Sequence, residues 1–98
     1  MPPPSFADAL MQNRPNPFNP ETVIPFSLAA TGRVIVRIYD VRGRLVRTVL
    51  DAVKPAGVHA ARWNGSTETG TQSASGVYFY VITYPDGHTS SKKMAILR

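Results

Sequence analysis

The hydrophobic pattern of this chain has period two along most of its length, and no stretch holds a helical period for long. Only a strand sends successive side chains to opposite faces, so this feature restricts the chain to an all-β fold. Residues 22–28 (TVIPFSL) alternate, with Pro25 suited to an edge strand or a bulge. Residues 33–41 (RVIVRIYDV) set Val34, Val36 and Ile38 on one face and Arg33, Ile35, Arg37 and Tyr39 on the other. Residues 45–50 form the return strand across a tight hairpin, residues 40–44 (DVRGR), in which Gly43 supplies the positive φ. Residues 58–64 place His59, Ala61 and Trp63 together. Residues 76–84 (GVYFYVITY) are the most β-prone stretch. Residues 89–97 form the last strand, with Met94 and Ile96 facing the core and Lys93, Ala95 and Leu97 more exposed.

Turn chemistry separates these segments: Gly32, the KPAG of residues 54–57, the polar loop of residues 65–75, and Pro85-Asp86-Gly87. Residues 10–20 (LMQNRPNPFNP) cannot be helix, because three prolines remove amide donors. They read as a short edge strand near residues 9–13, then a stiff turn-rich segment anchored by Phe18. Strands recurring with turn signals every ~8–12 residues indicate a sandwich or barrel. About seven of them in ~90 residues favour an Ig-like antiparallel β-sandwich, with Phe26, Trp63, Tyr78, Tyr80 and Ile96 in its core.

The chain has 98 residues, the size of one domain. It contains no cysteine, which excludes a disulfide scaffold, a Cys-based zinc site and a thiol nucleophile. No apolar run reaches the ~18 residues of a membrane helix, so no membrane span is expected. Residues 1–9 open with consecutive prolines and no apolar targeting core, and read as a Pro-rich interdomain linker. Residues 10–98 are the folded domain, and the chain is expected to be a piece of a longer protein.

Catalysis needs convergent titratable groups, and the chain has only His59 and His88. His59 shares a face with Trp63 and reads as a packing histidine, while His88 follows a turn and reads as solvated. Asp8, Glu21, Asp40, Asp51, Glu68 and Asp86 are scattered, and no spacing pairs them. The chain is therefore expected not to be an enzyme and to hold no cofactor. Residues 64–76 offer a metal one carboxylate, Glu68, where calcium takes about six to eight oxygens, so no metal is expected. Asn64-Gly65-Ser66 matches the glycan acceptor pattern, a short and weak match.

Charge raises one further class. Eleven Lys and Arg against six Asp and Glu give a net charge of +5. Arg33, Arg37, Arg42, Arg44 and Arg47 gather around one hairpin beside Tyr39, a composition that suits a polyanion or carbohydrate binder. No RNP-type motif accompanies them, and a solvated face that protects a sheet edge is the simpler reading, so nucleic acid is not the expected partner.

Three segments carry a family resemblance: residues 12–22 (QNRPNPFNPET), residues 38–49 (IYDVRGRLVRTV), and the block from residues 63–82 (WNGSTETGTQSASGVYFYVI) to residues 92–98 (KKMAILR). Together they resemble the type A C-terminal sorting domain of the type IX secretion system of Bacteroidetes, and the related hook-capping-type Ig-like domain. The matching positions are Asn16, Pro17, Phe18, Asn19 and Pro20; Tyr39, Asp40, Gly43 and Val46; Trp63, Gly65, Gly70, Ser75, Gly76, Tyr78 and Tyr80; and Lys92, Lys93, Met94, Leu97 and Arg98. Asn64 stands where the family usually has Asp, and Thr67 where it has Asp or Asn, which weakens a metal in that loop.

The resemblance implies an exported, non-catalytic signal domain on a larger cargo protein such as a polysaccharide-degrading enzyme, peptidase or adhesin. The outer-membrane translocon would read it and a surface sortase would remove it. The cargo would cross the periplasm and end on the cell surface or outside. Lys92, Lys93, Met94, Leu97, Arg98, Gly76 and Tyr78 would carry recognition. On physical grounds the expected reading surface is a basic edge beside an accessible last strand, open to β-augmentation. The alternative is a structural Ig-like spacer or assembly domain.

Overall fold

The structure, a computed structural model, describes residues 6–18 and 21–97. Seven strands follow in chain order: β1 (Ala9–Leu10), β2 (Thr22–Leu28), β3 (Gly32–Tyr39), β4 (Leu45–Lys54), β5 (Gly57–Trp63), β6 (Gly76–Thr83) and β7 (Thr89–Ile96). They form two antiparallel sheets, β1-β2-β5 and β4-β3-β6-β7, packed as an Ig-like sandwich with no helix among the described residues. The expected sandwich and its number of strands are borne out. Among the described residues no helix is long and apolar enough to cross a bilayer.

Alternation places the core. Val34, Val36 and Ile38 of β3 are fully buried, while Arg33 on the other face is exposed. Ile24, Phe26 and Leu28 of β2 face Tyr80 and Ile82 of β6 and Met94 and Ile96 of β7 across one continuous core. Trp63 closes it at one end, with Phe18 edge-on at 5.5 Å and Tyr78 edge-on at 5.8 Å. All five core residues expected from the pattern are buried. β4 runs four residues beyond the expected return strand, to Lys54, and carries register shifts against β3 between Val36 and Arg37 and between Ile38 and Tyr39.

Pro25 sits in β2, which is the middle strand of its sheet rather than an edge. The physical reason is local. The Pro25 carbonyl accepts from Met11 N–H at 3.0 Å, so its missing N–H also faces the N-terminal segment. The Met11 carbonyl that would have taken that N–H receives the Tyr80 hydroxyl instead, at 2.7 Å. A core tyrosine thus completes a ladder that proline leaves open, and β1 is only two residues long at that side.

At the 40–44 hairpin Gly43 adopts a φ of 79°, as its turn requires. Asp40 Oδ1 accepts the N–H groups of Arg42 (2.9 Å) and Arg44 (3.0 Å), and Oδ2 takes the Arg44 guanidinium at 3.0 Å. The Arg44 N–H, with the Arg42 N–H and the Arg44 side chain after it, holds the Asp40 carboxyl below its ordinary range. Gly32 meets a different need: a Cβ there would lie 2.5 Å from Pro85 Cβ, so the 84–88 turn packs directly on the backbone.

Candidate functional site

The residues singled out at opposite ends of the sequence meet on one strand. Gly76 pairs with Ile96 and Tyr78 with Met94 across β6 and β7. On the other side of β7, Phe18 forms a parallel bridge with Ile96. Phe18 N–H donates to the Ala95 carbonyl and Leu97 N–H donates to the Phe18 carbonyl, each at 3.1 Å. Asn16 Oδ1 accepts the Ala95 N–H at 2.9 Å, and Gln12 Nε2 donates to the Lys93 carbonyl at 2.9 Å.

The last strand is therefore not a free edge between Lys93 and Leu97, which corrects the expectation of an accessible strand there. Residues 12–18 lie along it, bonding partly through side chains because their prolines have no N–H to give. Among the described residues no strand pairs with its outer side over Thr89–Ser91. Asn19, Pro20 and Arg98, also singled out, lie outside the described residues.

The side chains at this edge divide by face. Met94 is buried on the core side and Leu97 is 66% exposed. Lys92 follows Met94's side and is half-buried, while Lys93 points to the opposite face and is exposed. The basic pair is thus split across the sheet. Among the described residues neither lysine has an acidic side chain at ion-pair distance.

The central and loop motifs support this edge from within. Trp63 Nε1 donates to the Ser66 carbonyl at 2.8 Å and the Tyr78 hydroxyl to the Ala74 carbonyl at 2.7 Å, so two core aromatics pin the 64–75 loop. Within it, Gly70 N–H donates to the Thr67 carbonyl at 2.9 Å, and Gly65 accepts the Ser73 N–H at 2.8 Å. Asn64 Oδ1 takes Ser66 N–H and Oγ–H, which ties together the first and third residues of the glycan acceptor triplet. Glu68 caps the β4 edge: its N–H bonds the Val46 carbonyl and its carboxylate accepts Thr48 N–H at 2.6 Å.

The five arginines do not form one patch. Arg33 makes a bidentate pair with Asp51 at 2.8 Å, and Arg44 is bound to Asp40. Arg47 turns inward to Ser66 Oγ and the Thr67 carbonyl. Tyr39 sits opposite Phe79 on the outer face of the larger sheet, with Arg37 nearby on the same face.

Two features escaped the sequence. Asn13 is buried to 1% exposure and bonds Tyr80, Thr22 and Pro15. Asparagine is normally exposed, so composition gives no hint of this. His88 is not simply solvated: its two ring nitrogens face Asp86 and Asp8, and its ring lies 4.4 Å from Tyr84. One donor atom from each of these three residues lies within 4.8 Å of the others. Asp86 thus faces one imidazole nitrogen and Asp8 the other. His59 matches its expected packing role, half-buried with Phe26 at 5.5 Å and Nε2 at 2.7 Å from the Pro55 carbonyl.

A family model described as the FlgD Ig-like domain matches residues 21–88. No curated protein matches the chain. Among solved structures, dimeric latent PorU from Porphyromonas gingivalis contains a similar domain, with a TM-score of 0.74 and 25% identity over 97% of this chain. PorZ, an essential bacterial surface component of the type-IX secretion system of the same organism, aligns with a TM-score of 0.59 and 23% identity over 89% of this chain. The aligned regions are 10% and 11% of those chains, so the present chain spans about a tenth of each.

Proposed function

Because the chain belongs to the FlgD Ig-like domain family, we propose that it is a non-catalytic sorting module that takes a larger cargo protein through the outer membrane by type IX secretion. The partners in this reading are the outer-membrane translocon, a surface sortase that removes the module, and a cargo domain joined at its N-terminal side. The route runs through the periplasm to the cell surface or the medium. Likeness to domains within PorU and PorZ supports the reading, and PorZ is itself a surface component of that system.

The observation that carries it is the meeting of the two resemblance-bearing end segments on β7. A signal read after export has to survive as a surface. Here the terminal residues Lys93 and Leu97 are displayed on a strand clamped between β6 and residues 12–18. Recognition is assigned to this clamped edge and its side chains rather than to a loose tail.

The test is to fuse the chain to the C-terminal end of a periplasmic reporter in a host with an active type IX system. The fusion is expected in the medium or on the surface. A reporter retained in the periplasm, while a known domain of this kind exports it, would leave the structural spacer reading in its place. Lys92→Ala/Lys93→Ala is expected to reduce export several-fold and to lower the melting temperature only slightly, since Lys93 is exposed, Lys92 is half-buried and neither gives up an ion pair among the described residues. Export at the unaltered level would remove the basic pair from the signal.

A further inference from the structure

His88 stands between two carboxylates drawn from distant parts of the chain. Asp86 faces Nδ1, and Asp8, from the segment before β1, faces Nε2 at 3.5 Å. Asp8 is itself anchored: its Oδ1 accepts the Ala29 N–H at 2.7 Å, just beyond the end of β2. The adjacent Ala7 carbonyl accepts the Ser27 hydroxyl. The ring is oriented by Tyr84, which is buried and lies 4.4 Å away, centroid to centroid. Asp86 also accepts the His88 N–H at 3.1 Å, so the turn holds this carboxylate toward the ring.

The chemistry of imidazole decides what this arrangement requires. A neutral ring has one N–H and one lone pair, so it can satisfy only one of two opposed carboxylates and must turn its lone pair on the other. An imidazolium has N–H groups on both edges and satisfies both. The titratable groups against the ring are Asp8 from the N-terminal segment, Asp86 from the turn, and the stacked Tyr84 phenol.

We infer that Asp8, His88 and Asp86 form a proton-dependent latch, which fastens the chain where it enters the sandwich to the turn between β6 and β7 while His88 carries its second proton. Loss of that proton leaves Asp8 opposed by a lone pair. The segment of residues 6–8 then loosens from the 84–88 turn, while β1 stays paired with β2.

The Ala29 amide reports on the latch, because its proton is bonded to Asp8. The experiment is a two-dimensional NMR titration of the intact chain from about pH 5 to about pH 8, in EDTA, following Ala29 N–H and the ring protons of both histidines. The expected result is that Ala29 moves with the same midpoint as the His88 ring, and not with that of His59. In His88→Gln the Ala29 shift becomes flat over this range. In Asp8→Asn, which keeps the backbone intact, Ala29 no longer follows His88. An Ala29 amide that stays flat in the unaltered protein, or that still titrates in His88→Gln, overturns the latch. So does a titration seen only without EDTA and restored by Zn²⁺, which would make the cluster a metal site.

Discussion

Tyr80 shows how much one hydroxyl can hold in this fold. It donates to the Met11 carbonyl and accepts the Asn13 N–H at 3.0 Å, so it joins the core of one sheet to the first segment of the other. Burial pushes its ionisation up, with the Asn13 N–H opposing that in part. Tyr80→Phe should keep the packing and leave the buried Asn13 N–H and the part-buried Met11 carbonyl unpaired. The expected loss is about 1–3 kcal/mol in urea unfolding, and a change below the error of the measurement would mean that water replaces the hydroxyl. Phe18→Ala should cost more, about 3–5 kcal/mol, because Phe18 is 2% exposed against Trp63. Phe18 was legible in the sequence as the one large apolar side chain in a run of prolines. Asn13 was not, since its burial depends on Tyr80, 67 residues away.

The strands themselves were legible because alternation is a local signal, and β3 and β7 follow it residue by residue. What lies beside an edge strand is not local. The cover on β7 comes from a segment about 80 residues earlier, and two of its bonds use the side chains of Gln12 and Asn16. Prolines in that segment hide any strand pattern, so the last strand read as open. Gln12→Ala/Asn16→Ala should loosen the cover without disturbing β6. Hydrogen exchange is expected to speed up at the Ala95 and Leu97 amides, which face residues 12–18, and to change little at Met94, which faces β6. Equal acceleration at all three would mean that the cover and the sheet open as one unit.

At the scale of the molecule, charge is arranged in short pairs rather than fields. Asp40, Asp51 and Asp86 are each held below the ordinary carboxylate range, chiefly by the Arg44 N–H, the Arg33 side chain and the His88 N–H respectively. A depressed carboxyl leaves the folded chain with fewer bound protons than the unfolded one, so these groups stabilise the fold at pH values above their unfolded range. The melting temperature is therefore expected to fall progressively below about pH 4. Asp40→Ala should flatten part of that fall, and an identical acid profile would assign it to other groups. The sandwich was readable from its strand count, whereas the division into three and four strands was not, because it depends on which loops cross between sheets. The joining of Phe18 to Ala95 and Leu97 has one more consequence, in the order of synthesis. Phe18 leaves the ribosome early, but the strand it docks on is made last. Until the chain has been made through Leu97 that docking site is incomplete, so Phe18 can be buried only after the other six strands have been synthesised.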